Sequence, residues 1–118
     1  MHRILLRSKL HRLTVTERRI DYEGSLTVDS DLLRAADVIS GEKVQVVDVN
    51  NGQRFETYIM EGKAGSGVVC ANGGAARLVE VGDTIIVIAY GVVTEEEIGS
   101  FKPKVILVDE RNRIKKNP

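Results

Sequence analysis

Short runs of β-branched and aliphatic residues, each closed by a turn signal, recur along this chain and leave room for only brief helices. Residues 43–49 (Lys-Val-Gln-Val-Val-Asp-Val) alternate well enough for a half-buried strand. Asn51-Gly52 follows, and both residues tolerate the positive φ of a type I′ turn, so a two-residue hairpin is predicted. The returning strand, residues 54–60, puts Phe55, Thr57 and Ile59 on one face and Arg54, Glu56 and Tyr58 on the other, because strand side chains alternate. Further strands are expected over residues 4–6, 13–15, 66–71 and 104–108. Residues 84–90, apolar almost throughout, are expected to form a central one. Asp29 or Ser30 can cap a short helix through residues 32–36. Residues 75–78 suit a single turn, and Thr94 and Glu97 have capping-box spacing. Many short strands with few helical turns predict a small β-barrel. Residues 115–118 read as a frayed tail.

At 118 residues the chain suits one domain over residues 1–118. It has two Phe, three Tyr and no Trp, so its core must come mainly from Val, Ile, Leu and Ala. So small a core makes oligomerisation a natural way to hide more apolar surface. Seventeen basic and seventeen acidic side chains cancel, which with the few aromatics argues against a nucleic-acid partner. No apolar stretch approaches the ~18 residues that cross a bilayer. The basic N-terminus carries an apolar run too short for a signal peptide, so a cytoplasmic protein without a membrane partner is expected. The lone cysteine, Cys70, excludes an internal disulfide and a multi-cysteine metal site, and reads as a small buried hydrophobe. His2 and His11 lack carboxylates or cysteines at ligand spacing, so no metal is expected. Gly65-Ser66-Gly67 lacks the Lys-Ser/Thr of a phosphate loop. Gly73-Gly74 could present backbone N–H groups to an anion, or simply form a tight turn.

Taken alone, Gly24-Ser25 is a turn. Its company gives it more meaning. Tyr22-Glu23-Gly24-Ser25 occurs with Lys9-Leu10-His11-Arg12 upstream. Downstream come Asn51-Gly52-Gln53-Arg54-Phe55-Glu56-Thr57-Tyr58 and Asn72-Gly73-Gly74-Ala75-Ala76-Arg77. In this order and spacing, from about Arg3 to Asn112, the motifs resemble those of the aspartate 1-decarboxylase family. Two positions depart from the family's habit. Gly74 stands where alanine is common, and Val47 where an aromatic residue is common.

The resemblance implies a double-psi β-barrel with a few short helices, assembled as a homotetramer with active sites between neighbouring subunits. It also implies a lyase that converts L-aspartate to β-alanine and CO₂ for pantothenate synthesis. Removing a carboxylate from Cα needs an electron sink, which proteins usually recruit as a cofactor. The family makes its own, a covalent pyruvoyl group, and uses neither pyridoxal phosphate nor a metal. By the resemblance, Ser25 attacks the Gly24 carbonyl, and elimination splits the chain into residues 1–24 and 25–118. Hydrolysis leaves a pyruvoyl group at residue 25, which forms a Schiff base with the substrate amine. A maturation helper protein is a further partner that the family allows. Tyr58 matches the family's proton donor, Arg54 and Lys9 its carboxylate contacts, and Thr57 a residue tied to self-cleavage and to the substrate site. Asn72 and the backbone of Gly73, Gly74 and Ala75 match the loop that fixes the substrate. His11 and Tyr22 lie in matching segments without an assigned role. The alternative is a binding module that keeps the barrel and is never processed. Gly24, Ser25, Arg54 and Tyr58 together favour the enzyme.

Overall fold

Alternating apolar side chains from almost every strand meet in one core of the computed structural model, which describes residues 1–115. Among them the chain runs β1 (His2–Thr14), β2 (Glu17–Arg19), β3 (Ser25–Asp29), α1 (Ser30–Ala36), β4 (Lys43–Asp48), β5 (Arg54–Gly62) and β6 (Val69–Asn72). A 3-10 turn (Gly73–Arg77), β7 (Thr84–Thr94), a second 3-10 turn (Ile98–Ser100) and β8 (Lys104–Leu107) complete it. The strands form one sheet in the order β2-β6-β3-β5-β4-β7-β1-β8. Three neighbouring pairs are parallel, namely β1 with β8, β2 with β6 and β3 with β5. The sheet curls so that Leu10, Leu26, Val46, Ile59 and Val87 are all buried. This is the mainly β small barrel that the sequence pattern predicts.

Several details differ from the sequence reading for physical reasons. Residues 4–6 and 13–15 belong to one strand, β1, whose pairing with β7 slips between Leu6 and Ser8 and between Leu10 and Leu13. The second slip holds Arg12 at φ 69°, and such irregularities break the alternation that a sequence reading follows. The β4–β5 connection is a five-residue loop, not a two-residue type I′ turn. Asp48 Oδ1 accepts the Asn50 and Asn51 N–H groups at 2.8 and 3.3 Å, which leaves only Gly52 with positive φ, 78°. β6 begins at Val69 instead of residue 66, because the Gly65 and Gly67 N–H groups bond to Asp29. Glu97 Oε1 accepts both the N–H and the hydroxyl of Thr94, so the box is one-sided. β2 escapes a sequence reading because Glu17, Arg18 and Arg19 are charged and exposed. Lys115 N–H donates to the Leu107 carbonyl at 2.8 Å, and residues 116–118 of the expected tail lie outside the described residues.

The alternation in β5 is as expected, with Ile59 buried and Tyr58 outward. β7 is central, between β4 and β1. No helix among the described residues is long and apolar enough to cross a membrane.

Two buried side chains tie the loops to the barrel. Asn112 accepts the Thr14 N–H and donates to the Thr14 and Gly67 carbonyls, all within 2.9 Å. Asp29 ends β3 and caps α1 by accepting the Asp31 N–H, while also holding the N–H groups of Gly65 and Gly67. Burial opposes ionisation of Asp29, but the three backbone donors outweigh it and hold its carboxyl below the usual value. Asp29→Ala should therefore cost about 2–4 kcal/mol, through the lost cap and the bare N–H groups left behind. The stability that ionised Asp29 supplies is fully present above its ordinary pKa of 3.8 and is lost as pH falls through the lower folded value. Melting curves from neutral to acid pH should show the gap between parent and variant closing only below that range. A constant gap would contradict this account.

Candidate active site

Ser25 opens β3, which lies between β5 and β6, and both partners fix where its side chain goes. The antiparallel register sets Ser25 opposite Asn72 and Thr27 opposite Cys70. Opposed residues share a face, so these four side chains meet. The Asn72 amide Nδ2 donates to Ser25 Oγ at 2.9 Å and to Thr27 Oγ1 at 3.0 Å. Ser25 Oγ in turn donates to the Glu23 carbonyl at 3.4 Å. Ser25 and Asn72 are each only 3% exposed. On the other side, parallel pairing sets Leu26 beside Ile59, so continuing the register back brings Tyr58 to the level of Ser25. Tyr58 and Met60 form one wall of a cleft of about 350 Å³, and Ser25, Thr27 and Asn72 its floor. Asp21, Tyr22 and Glu23 complete the lining.

The segment before Ser25 is pressed into place by the turn after β6. Gly73 has φ 63°, and a Cβ there would stand 2.6 Å from the Tyr22 carbonyl oxygen and 2.7 Å from Gly24 Cα and N. Only glycine allows that approach. Gly74 faces open space, with nothing within 4 Å of such an added carbon. Ala75 is buried in the same turn. The Arg19 guanidinium lies 5.3 Å from the Tyr22 ring centroid, a cation–π distance.

The structure thus brings Ser25, Tyr58 and Asn72 together, with Gly24 and Gly73 in contact beside them. It does not bring the other expected residues to this cleft within one chain. Lys9 lies on β1 between Ile88 and Val105. Arg54 opens β5, exposed, with Nη1 3.5 Å from Gln45 Oε1. Thr57 lies on the other face of β5 from Tyr58, opposite Val44, and lines a second hollow with Lys43, Glu56 and Tyr58 itself. Val47 pairs with Arg54. His11 lines another cleft beside Arg12 and Asp109, and its Nδ1 is buried without a partner. Burial and the neighbouring Lys9 and Arg12 charges lower its pKa. Among the described residues no His, Cys, Asp and Glu cluster could hold a metal ion.

Sequence reasoning missed Thr27 and Cys70. The available signal was period two: Thr27 follows Ser25 by two residues, and Cys70 precedes Asn72 by two.

A buried serine, an amide and a phenol gathered in one cleft of a small β-barrel are the frame of an enzyme site. The family model described as aspartate decarboxylase matches residues 1–115. The aspartate 1-decarboxylase of Acetivibrio thermocellus is 59% identical over 110 residues, 93% of this chain and 87% of the relative. That of Moorella thermoacetica is 59% identical over 114 residues, 97% of this chain and 89% of the relative. That of Thermoanaerobacter pseudethanolicus is 51% identical over 113 residues, 96% of this chain and 97% of the relative. The chain belongs to the aspartate decarboxylase family and is a decarboxylase.

The turn after β6 supplies a direct test. Gly73→Ala must push residues 22–24 away and strain its own backbone, at a cost of ~1–3 kcal/mol for the backbone alone. Gly74→Ala meets nothing. Calorimetry should show a melting temperature several degrees lower for Gly73→Ala and an unchanged one for Gly74→Ala. Equal losses would mean that the contact with Gly24 is not what distinguishes the two glycines.

Proposed function

We propose that the chain is the precursor of an enzyme that decarboxylates L-aspartate at Cα to β-alanine, the precursor of pantothenate, using a pyruvoyl group made from its own Ser25. The observation that carries this reading is the buried Ser25 hydroxyl, held by Asn72 immediately after Gly24. In the uncleaved chain Ser25 Oγ attacks the Gly24 carbonyl carbon, and the Gly24–Ser25 amide becomes an ester. Loss of the Ser25 α-proton then expels the Gly24 carboxylate, giving residues 1–24 and a dehydroalanine at the head of residues 25–118. Water replaces its nitrogen, which leaves as ammonia.

The surroundings fit a ketone at that position. Self-cleavage carries Ser25 Oγ away with Gly24, which releases the Asn72 Nδ2 N–H that it occupied for an acceptor formed on the same residue. Once formed, the group supplies the electron sink that decarboxylation requires. The protein's own residues do the rest. Tyr58, which lines the cleft with Ser25, is assigned to returning a proton to the substrate carbon. Thr57, on the opposite strand face, is assigned to polarising the Gly24 carbonyl during self-cleavage and to the substrate site. Gly73, Gly74 and Ala75 hold the substrate through backbone groups.

Arg54 and Lys9 are assigned to the two substrate carboxylates, as bidentate or point-charge partners. Neither lines the cleft of its own chain, which carries Asp21 and Glu23 instead. A homotetramer with each site shared between neighbours supplies the missing cations. The exposed outer faces of Ile4 and Val92, paired across β1 and β7, support such contacts. Cytoplasmic location, and maturation with or without a helper protein, complete the proposal. No observation favours an unprocessed binding module.

Ser25→Ala should remain a single chain on denaturing gels, whereas the parent resolves into two fragments, the larger with the intact mass of a pyruvoyl terminus. A parent that stays uncleaved yet decarboxylates aspartate would overturn the mechanism. Tyr58→Phe should mature normally and lose ~10²–10⁴ in turnover. Thr57→Val should instead slow fragment formation. Time courses of fragment appearance and β-alanine release separate the two. Parental turnover by Tyr58→Phe would assign the proton to another donor.

A further inference from the structure

We propose that Gln45 is a positioning residue whose side-chain oxygen, itself held by the Tyr90 hydroxyl, orients the Arg54 guanidinium without neutralising it, so that Arg54 keeps its charge for an anionic group of the substrate. The inference rests on the assignment of Arg54 to a substrate carboxylate given above.

The register puts the three side chains on one outward face. Gln45 stands on β4 directly between Glu56 of β5 and Ile88 of β7. Its strand neighbours Val44 and Val46 are buried, so Gln45 points away from the core. Arg54 is two residues from Glu56, and Tyr90 two from Ile88, so both reach Gln45 along diagonals of the sheet. The Tyr90 hydroxyl donates to Gln45 Oε1 at 2.8 Å, and Arg54 Nη1 lies 3.5 Å from the same oxygen. A guanidinium can only donate, so it decides which end of the amide faces it. The phenol, able to donate or accept, then gives its proton to that oxygen.

The charges on this face are sorted. Glu56 is opposite Gln45 and two residues from Arg54, which makes it the obvious partner for that cation. Its carboxylate is instead taken by Lys43 Nζ at 3.1 Å. Among the described residues Arg54 forms no ion pair. A carboxylate in place of the Gln45 amide would bind the guanidinium more tightly and compete with the substrate for it. A neutral acceptor restrains a long, exposed side chain before binding, which lowers the ordering cost that the substrate must meet, and leaves the charge uncancelled.

The test measures KM and kcat for L-aspartate on the processed enzyme, with turnover normalised by intact mass to the chains that carry the pyruvoyl terminus. Gln45→Leu removes the acceptor. We expect KM to rise ~3- to 10-fold, the effect of one hydrogen bond, with kcat within about twofold of the parent. Tyr90→Phe keeps the ring and removes only the hydroxyl that holds the amide, so KM should rise there as well. The double variant should be no worse than Gln45→Leu alone, because both changes act through one oxygen. Gln45→Glu should raise KM further than leucine does, although glutamate is the closer match in shape; a packing role would rank the two the other way.

A parental KM in Gln45→Leu would overturn the proposal, and so would a kcat and melting temperature that fall in step with the rise in KM. If Gln45→Leu fails to fold, Tyr90→Phe decides alone, and an unchanged KM there has the same consequence. Arg54→Ala should weaken aspartate turnover more than any of these variants. A parental KM in Arg54→Ala would instead defeat the assignment of Arg54 on which the inference stands.

Discussion

The pairing of Ser25 with Asn72 across β3 and β6 is the constraint on which the site depends. It joins the first residue of one strand to the last residue of the other, so the chain turns away from the sheet on both sides of it. On one side residues 21–24 approach the cleft; on the other, Gly73 begins the turn that presses against them. A shift of one register step would exchange the faces of every residue involved. The parallel pairing of β3 with β5 guards against that shift from the opposite edge. Leu26 and Val28 are buried between the two neighbours, and neither can exchange faces without exposing apolar surface.

Much of the barrel was legible because it rests on local pattern. The alternation of β5 separated Thr57 from Tyr58, and the apolar run of β7 marked it as central. Where a side chain competed with the backbone, local pattern misled. Asp48 took the N–H groups of the loop and replaced the turn that Asn51-Gly52 suggested. Bulges hid the continuity of β1 in the same way. Ser25, Tyr58 and Asn72 were legible only through the spacing of several motifs, since each is an ordinary strand or turn residue by itself. Thr27 and Cys70 remained hidden because their importance lies in a cross-strand register more than forty residues long in sequence separation, as the 45-residue bond from Asn72 to Thr27 shows.

The electrostatics of the single chain run against an acidic substrate. Asp21 and Glu23 line the cleft, whereas Arg54 is roughly 13 Å along the strand from Tyr58. The acidic residues belong to the segment that lies directly before the proposed cleavage point. Joined to Ser25, that segment is held at the cleft by the chain itself and by Gly73. Cleavage would remove the first of those restraints and add a carboxylate at Gly24, so repulsion and freedom both favour its withdrawal. Maturation and admission of an anionic substrate are then two consequences of breaking the same bond.

The buried polar residues divide by what they hold. Asp29, Asp48 and Asn112 direct their bonds to backbone groups, and so fix the ends of strands and the loops beside them. Asp48 carries a further constraint: burial and the adjoining Asp83 carboxyl raise its pKa, while the neighbouring Asp48 carboxyl and the Glu80 N–H hold that of Asp83 low. Asn72 is different. Its side chain bonds only to other side chains, those of Ser25, Thr27 and Cys70. A side chain that secured backbone would preserve the fold whatever stood at residue 25. One that spends all its bonds on Ser25 and its neighbours stabilises a particular arrangement of reacting groups, and its own placement must come from the strands around it. The barrel supplies that placement by burying β3 between two partners, so the apolar core and the polar site are set by the same register.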